Sequence, residues 1–338
     1  MKQRLWRLAV VSLLIGGATC NREAQDSGKP RIAFVTNGVA AFWTIAQTGV
    51  QRAGRDFDAD VSVHMPAEGI SDQKRIVQDL LTMGVDGIAI SPIDPANQGD
   101  LINEAARSAK VVTHDSDAPD TDRLVYIGID NYQAGRLCGQ LVKEAIPDGG
   151  KIMILVGRME QDNARRRRQG LLDEILGRPS DPDRYDPPGR VLRNEKYAIM
   201  GTLTDQFDRA KAKANAEDAM SRFPDLAALV GLFAYNPPLI LEAVRQAGRA
   251  GEIAVVGFDE ADQTLQAIQD GVMYGTVVQD PYGYGYESVR VLAALVRGDR
   301  TVIPPGGFLD IPARQIRRDS VAEFWADLKS KLSADTTQ

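Results

Sequence analysis

The residues that could do chemistry in this 338-residue chain are carboxylates, amides and aromatics that cluster just after short apolar runs. In chain order the clusters are Asn37, Ser91-Pro92-Ile93-Asp94, His114-Asp115-Ser116-Asp117, Asp130-Asn131, Tyr235-Asn236, Asp259-Glu260 and Gln279-Asp280. Carboxylates accept hydrogen bonds strongly, and amides both donate and accept, so such a set matches a ligand covered in hydroxyl groups. The competing role is structural. Asx residues after strands also cap helices and tie turns, and roughly half of the set is expected to do only that. Signatures of catalysis are missing. There is no Gly-x-Ser-x-Gly, no His-Glu-x-x-His and no phosphate-cradling Gly-rich loop ending in Lys, and Gly283-Tyr284-Gly285 lacks the rest of a dinucleotide fingerprint. Asp115 and Asp259 resemble a glycosidase pair only insofar as a binding site needs the same carboxylates. With two Cys and two His, His64 and His114 lying far apart, no closed structural zinc site is expected. Asp115-Ser116-Asp117 lacks the glycine of a calcium loop and is followed by Pro119. No cofactor and no metal are expected.

The elements that would position these residues alternate. Strands are predicted at 31–36, 60–64, 87–91, 110–114, 124–128, 151–156, 228–233, 252–257 and 274–278, with a weaker one near Val191. Helical patterns fall between them at 42–57, 72–83, 97–109, 132–146, 164–176, 206–222, 238–247 and 284–297. Nearly continuous apolar strands separated by helices form parallel sheets covered on both faces, and the length accommodates two such α/β layers. In open parallel sheets ligands bind beyond the carboxyl ends of the strands, which is where the polar clusters lie. The formal net charge of -6 gives no general attraction to nucleic acid.

The first twenty residues are an address. Lys2, Arg4 and Arg7 precede an apolar run from Leu8 to Ile15 and the small residues Gly16, Gly17 and Ala18, the layout of a secretory signal. The run is well short of the ~20 residues a membrane-spanning helix needs. Gly17-Ala18-Thr19-Cys20 resembles a bacterial lipobox with Gly17 and Thr19 at two atypical places, so Cys20 is the expected lipidation site. Cys138 is then a lone, buried thiol; a Cys20–Cys138 disulfide is the rival reading. Residues 21–30 read as a polar tether.

From residue 31 to 311 the chain resembles the type I periplasmic sugar-binding proteins, the ribose-binding-protein-like receptors of bacterial ABC importers. Residues 33–44 (AFVTNGVAAFWT) are similar to the family's opening, where an Asn and paired aromatics reach the sugar, here Asn37, Phe42 and Trp43. Residues 110–117 (KVVTHDSD) end in the family's ligand-binding Asp, here Asp115, but Ser116 stands where ribose binders carry an Arg. Residues 162–170 (DNARRRRQG) resemble the Arg-bearing helix start, with Arg165 the best match and Arg167 the second; neighbours on a helix point about 100° apart, so two or three of the four Arg are expected to be solvated. The segments 206–210, 233–236, 255–259 and 275–279 supply Phe207, Asn236, Asp259 and Gln279.

The resemblance implies two doubly wound parallel-sheet lobes joined by a three-crossing hinge near 129–131, 279–281 and 304–308. The boundaries that follow are a signal peptide at 1–20, a linker at 21–30, an N-terminal lobe of 31–129 plus 280–307, a C-terminal lobe of 130–279 plus 308–325, and a tail from 326. The segment 177–190 (GRPSDPDRYDPPGR) reads as a surface insertion that bears on partner contact. The implied protein is not an enzyme. It is an exported, periplasmic, lipid-anchored monomer that captures a monosaccharide, polyol or similar molecule between its lobes and presents the closed form to an ABC permease; a sensor subunit for chemotaxis or a signalling kinase would use the same cleft.

Overall fold

A computed structural model describes residues 28–334. The signal segment and Cys20 lie outside the described residues. Two sheets organise the rest. The first contains β1 (Arg31–Val35), β2 (Asp60–His64), β3 (Gly87–Ile90), β4 (Lys110–His114), β5 (Tyr126–Gly128) and β12 (Phe308–Asp310), in the order β12-β5-β4-β3-β1-β2, all parallel. The second contains β6 (Gly150–Val156), β7 (Leu192–Arg193), β8 (Tyr197–Thr204), β9 (Leu226–Gly231), β10 (Ala254–Phe258), β11 (Gly275–Val278) and β13 (Arg314–Arg317), ordered β13-β11-β10-β9-β6-β8-β7. Its five central strands are parallel and only β13 and β7 run antiparallel, at the edges. The interior strands are apolar on both faces, β3 and β11 being buried at every residue, because helices cover both sides.

The helices are α1 (Ala41–Asp56), α2 (Ile70–Thr82), α3 (Pro95–Ser108), α4 (Asn131–Ala145), α5 (Asp162–Leu176), α6 (Arg209–Arg222), α7 (Asn236–Gln246), α8 (Asp262–Gln269), α9 (Pro281–Val296) and α10 (Val321–Ala334). Each lobe is closed by one tightly packed helix pair, α1 with α9 in the first and α4 with α5 in the second. Glycine permits both. A Cβ on Gly49 or Gly285 would land on the backbone of the facing helix, as would one on Gly135 or Gly170.

The chain crosses between lobes at 129–130, 279–280 and 311–313, joining β5 to α4, β11 to α9 and β12 to β13. The third crossing lies a few residues later than the resemblance implies, because Phe308–Asp310 pair with Tyr126–Gly128 and extend the first sheet past residue 307. The expected tail from 326 is mostly helix: α10 packs Phe324, Trp325 and Leu328 on the second lobe, and Trp325 Nε1 donates to Asp262 at 2.9 Å. The 177–190 segment lies at the surface but is tied down. Arg168 donates to the carbonyl oxygens of Asp186 and Pro187, and Arg184 pairs with buried Asp173.

Candidate functional site

The carboxyl ends of both sheets face one cavity of about 550 Å³ between the lobes. From the first lobe it is lined by Asn37, Phe42, Trp43 and Asp115, and from the second by Arg158, Asn163, Arg167, Phe207, Phe233, Tyr235 and Asp259, with Gln279 at a crossing. Among the described residues five non-glycines have positive φ, and four of them, Asp115 (58°), Gln206 (59°), Phe207 (66°) and Asp259 (70°), line this cavity. Backbone strain of this kind persists where the surrounding structure holds a side chain to a task. The two lobes repeat the device: Asp115 directly follows β4 and Asp259 directly follows β10.

Asp115 is the most heavily bonded group. Its Oδ2 accepts from Asn37 Nδ2 at 3.2 Å, Ser91 Oγ at 3.1 Å and, across the cleft, Asn163 Nδ2 at 3.0 Å. Burial nevertheless pushes its pKa up to about 6, with Arg167 opposing the shift and Asp259 adding to it. Asp259 is also raised by burial, again opposed by Arg167, and its Oδ1 accepts from Gln279 Nε2 at 2.7 Å. Gln279 Oε1 in turn accepts from Tyr284 Oη of α9 at 2.9 Å, so this amide connects the cleft carboxylate of one lobe to a buried helix of the other. Asn131 does the same at the first crossing: its Nδ2 donates to Tyr126 Oη at 3.0 Å, and its Oδ1 accepts from Arg167 Nη2 at 2.9 Å.

The aromatic walls come from both sides. Phe42 and Trp43 meet edge to face at 4.8 Å between centroids, and Trp43 Nε1 donates to Asn37 Oδ1 at 3.1 Å. Both rings are mostly packed into the first lobe's core while bordering the cavity, so they are wall and core at once. Opposite them Phe207 stacks on Phe233 at 5.9 Å, with Tyr235 edge-on.

Two expected contacts lie elsewhere. Arg165 is 50% exposed and pairs with Asp162, at the border of a separate cavity of about 470 Å³ beside the 177–190 segment. The cleft instead receives Arg167, which is 1% exposed, lies 4.2 Å from the Phe258 ring centroid and donates to Leu232 O at 2.8 Å. Asn236 is fully buried behind the cavity, where its side chain ties the Phe233 N–H and Asp205. Asp94, Asp130 and Asp280 cap α3, α4 and α9, and Asp117 pairs with Arg123 at 2.6 Å; these are the structural members of the polar set. His114 stacks on Phe34 in the core, and burial lowers its pKa to about 3. Tyr235 belongs to the strand-end set read from the sequence, whereas Arg158, Asn163 and Phe233 do not, although Arg158 follows the predicted strand at 151–156 by the same rule that picks out Asp115.

Two hinged α/β lobes with a polar and aromatic cleft at their strand ends define a solute-binding protein. A sequence model of the periplasmic binding protein domain matches residues 32–300, and the chain belongs to that family, as a type I, ribose-binding-protein-like member. It is a binding protein and not an enzyme. The chain is 26% identical over 302 residues to the ribose import binding protein RbsB of Salmonella typhimurium, covering 88% of this chain and 94% of the relative. It is 25% identical over 309 residues to the D-ribose/D-allose-binding protein of Pseudomonas aeruginosa, covering 87% and 90%. In fold it is similar to an ABC transporter solute-binding protein from Burkholderia graminis in complex with D-arabinose, with a TM-score of 0.77, 24% identity, and 86% and 96% of the two chains covered.

Proposed function

We propose that this protein is the receptor of an ABC-type importer and captures a monosaccharide or similar polyhydroxylated small molecule between its lobes. The observation that carries the reading is the meeting of Asp115, Arg167, Asp259 and Gln279 with Phe42, Trp43 and Phe207 around one interlobe cavity. A sugar ring has hydroxyl edges and flatter C–H faces. Carboxylates, amide and guanidinium take the edges while the rings cover the faces. Hydrogen bonds to charged partners contribute about 1.5–3 kcal/mol each, offset by desolvation and lobe closure, for a net of about -8 kcal/mol or better, a micromolar Kd. The relatives' names support the same ligand class, since those proteins are named for ribose and allose.

Closure would bury the ligand and create the surface that a permease reads. The protein acts as a monomer, exported to the periplasm and held at a membrane by a lipid on Cys20. A thermal-shift screen of pentoses, hexoses and polyols on the mature protein tests the ligand class. At least one member is expected to raise the melting temperature in a concentration-dependent way. A screen with no shift from any member rejects the reading.

A further inference from the structure

Three guanidinium groups border the cleft: Arg209, exposed at the start of α6, and Arg158 and Arg167, which are in different states. Arg167 is held in place: three of its five N–H donors go to Asn131 Oδ1 and Leu232 O, and it faces the Phe258 ring, which leaves two donors for ligand hydroxyls. Arg158 is not tied in this way. It follows β6 through Gly157, lines the cavity, and lies 5.3 Å from the centroid of Phe207, the ring expected to cover a ligand face. Its Nε is buried with no hydrogen-bond partner, and among the described residues no carboxylate pairs with it. Of the nearby acids bordering the cavity, Asp208 is committed to capping α6 through the N–H groups of Ala210 and Lys211, and Glu68, on the facing lobe, is exposed and forms no ion pair with Arg158. A buried donor left unmade costs free energy, and a planar guanidinium held against a ring presents a fork shaped for a carboxylate.

Resting on the sugar-receptor reading, we propose that Arg158 selects a sugar acid, a polyhydroxylated ligand bearing one carboxylate. The ring hydroxyls would face Asp115, Asp259 and Gln279, while the carboxylate pairs with the Arg158 fork beside Phe207. One guanidinium neutralises one charge. A phosphate dianion between Asp115 and Asp259 would be left undercompensated, so the carboxylate is the matching anion. The absence of an Arg at Ser116 fits this arrangement, because the free cation is supplied from the opposite lobe.

The test is calorimetric titration of the mature protein with matched pairs, D-galactose against D-galacturonate and D-glucose against D-glucuronate. In a pair where either member binds, the acid is expected to bind about 10- to 100-fold more tightly than its parent. Arg158→Gln should bring that ratio to about one, and Arg158→Lys, which keeps the charge without the fork, should retain part of the preference. Neutral sugars binding as tightly as their acids, or a ratio untouched by Arg158→Gln, overturns this proposal and leaves the receptor reading standing. No binding by any member of either series overturns this proposal, and the receptor reading falls with it only if the pentoses and polyols of the thermal-shift screen are silent as well.

Discussion

Replacing Asp115 with Asn is expected to stabilise the ligand-free protein at neutral pH while weakening ligand capture. Burial lifts the folded-state pKa of Asp115 from 3.8 to about 6, so keeping it ionised at pH 7.5 costs roughly two pKa units, or about 3 kcal/mol. The three donors from Asn37, Ser91 and Asn163 all converge on Oδ2, a place that the Asn carbonyl oxygen can fill, leaving the new amide to face the other way. The sign follows from proton counting. Between the unfolded and folded pKa values the folded protein holds a proton that the unfolded chain has released. Stability contributed by this site is therefore lost as pH rises from about 4 through about 6 and is level above that. Urea unfolding of both forms without ligand, at pH 7.5 and pH 4, reads the difference. Asp115→Asn should be more stable than the wild type by up to about 3 kcal/mol at pH 7.5, and the gap should nearly close at pH 4. A gap of equal size at both pH values, or a variant less stable at pH 7.5, refutes the reasoning about this carboxylate.

Asp259→Ala should reduce affinity for any bound sugar at least about 100-fold, since it deletes a buried acceptor at the strand end, with an unchanged circular dichroism spectrum as the control. Arg165→Ala should change affinity by less than about twofold in calorimetry. Arg167→Ala should instead destabilise the fold by about 3–5 kcal/mol in denaturant titrations, because Asn131 Oδ1 and Leu232 O lose their donor in the interior. Gly135→Ala, which sets a methyl group against the α5 backbone, should cost about 1–3 kcal/mol or more and lower the melting temperature. Cys20→Ala should move the protein from the membrane fraction to the soluble one; a wild type already wholly soluble would count against lipid anchoring.

The alternation of strands and helices was readable because each interior strand is a short, mostly apolar run and each covering helix a longer amphipathic one. What escaped had weak signals. β8 follows the Pro-rich 177–190 stretch and alternates buried with partly exposed residues, as a strand near a sheet edge does. β12 and β13 are only three and four residues long and take their partners from far away in the chain. Of Arg165 and Arg167 it is Arg167 that borders the interlobe cavity, and helix phase carries the cue. One turn beyond Arg167 and Arg168 stand the apolar Leu171 and Leu172, whereas one turn beyond Arg165 and Arg166 stand Gln169 and Gly170, neither with an apolar side chain. Asn236 has the right type and place for a ligand contact. Whether an amide at a strand end turns outward or back to the chain depends on acceptors elsewhere, here Asp205, which no local pattern reveals.

The most direct test is isothermal titration of the mature wild type and of Asp259→Ala with pentoses, hexoses and their acids. A sugar binding the wild type one-to-one, with a Kd of about a micromolar or below and at least about 100-fold weaker binding to the variant, is the predicted result. Heat-silent titrations across the whole series, or an affinity that the variant leaves untouched, would contradict capture between the lobes.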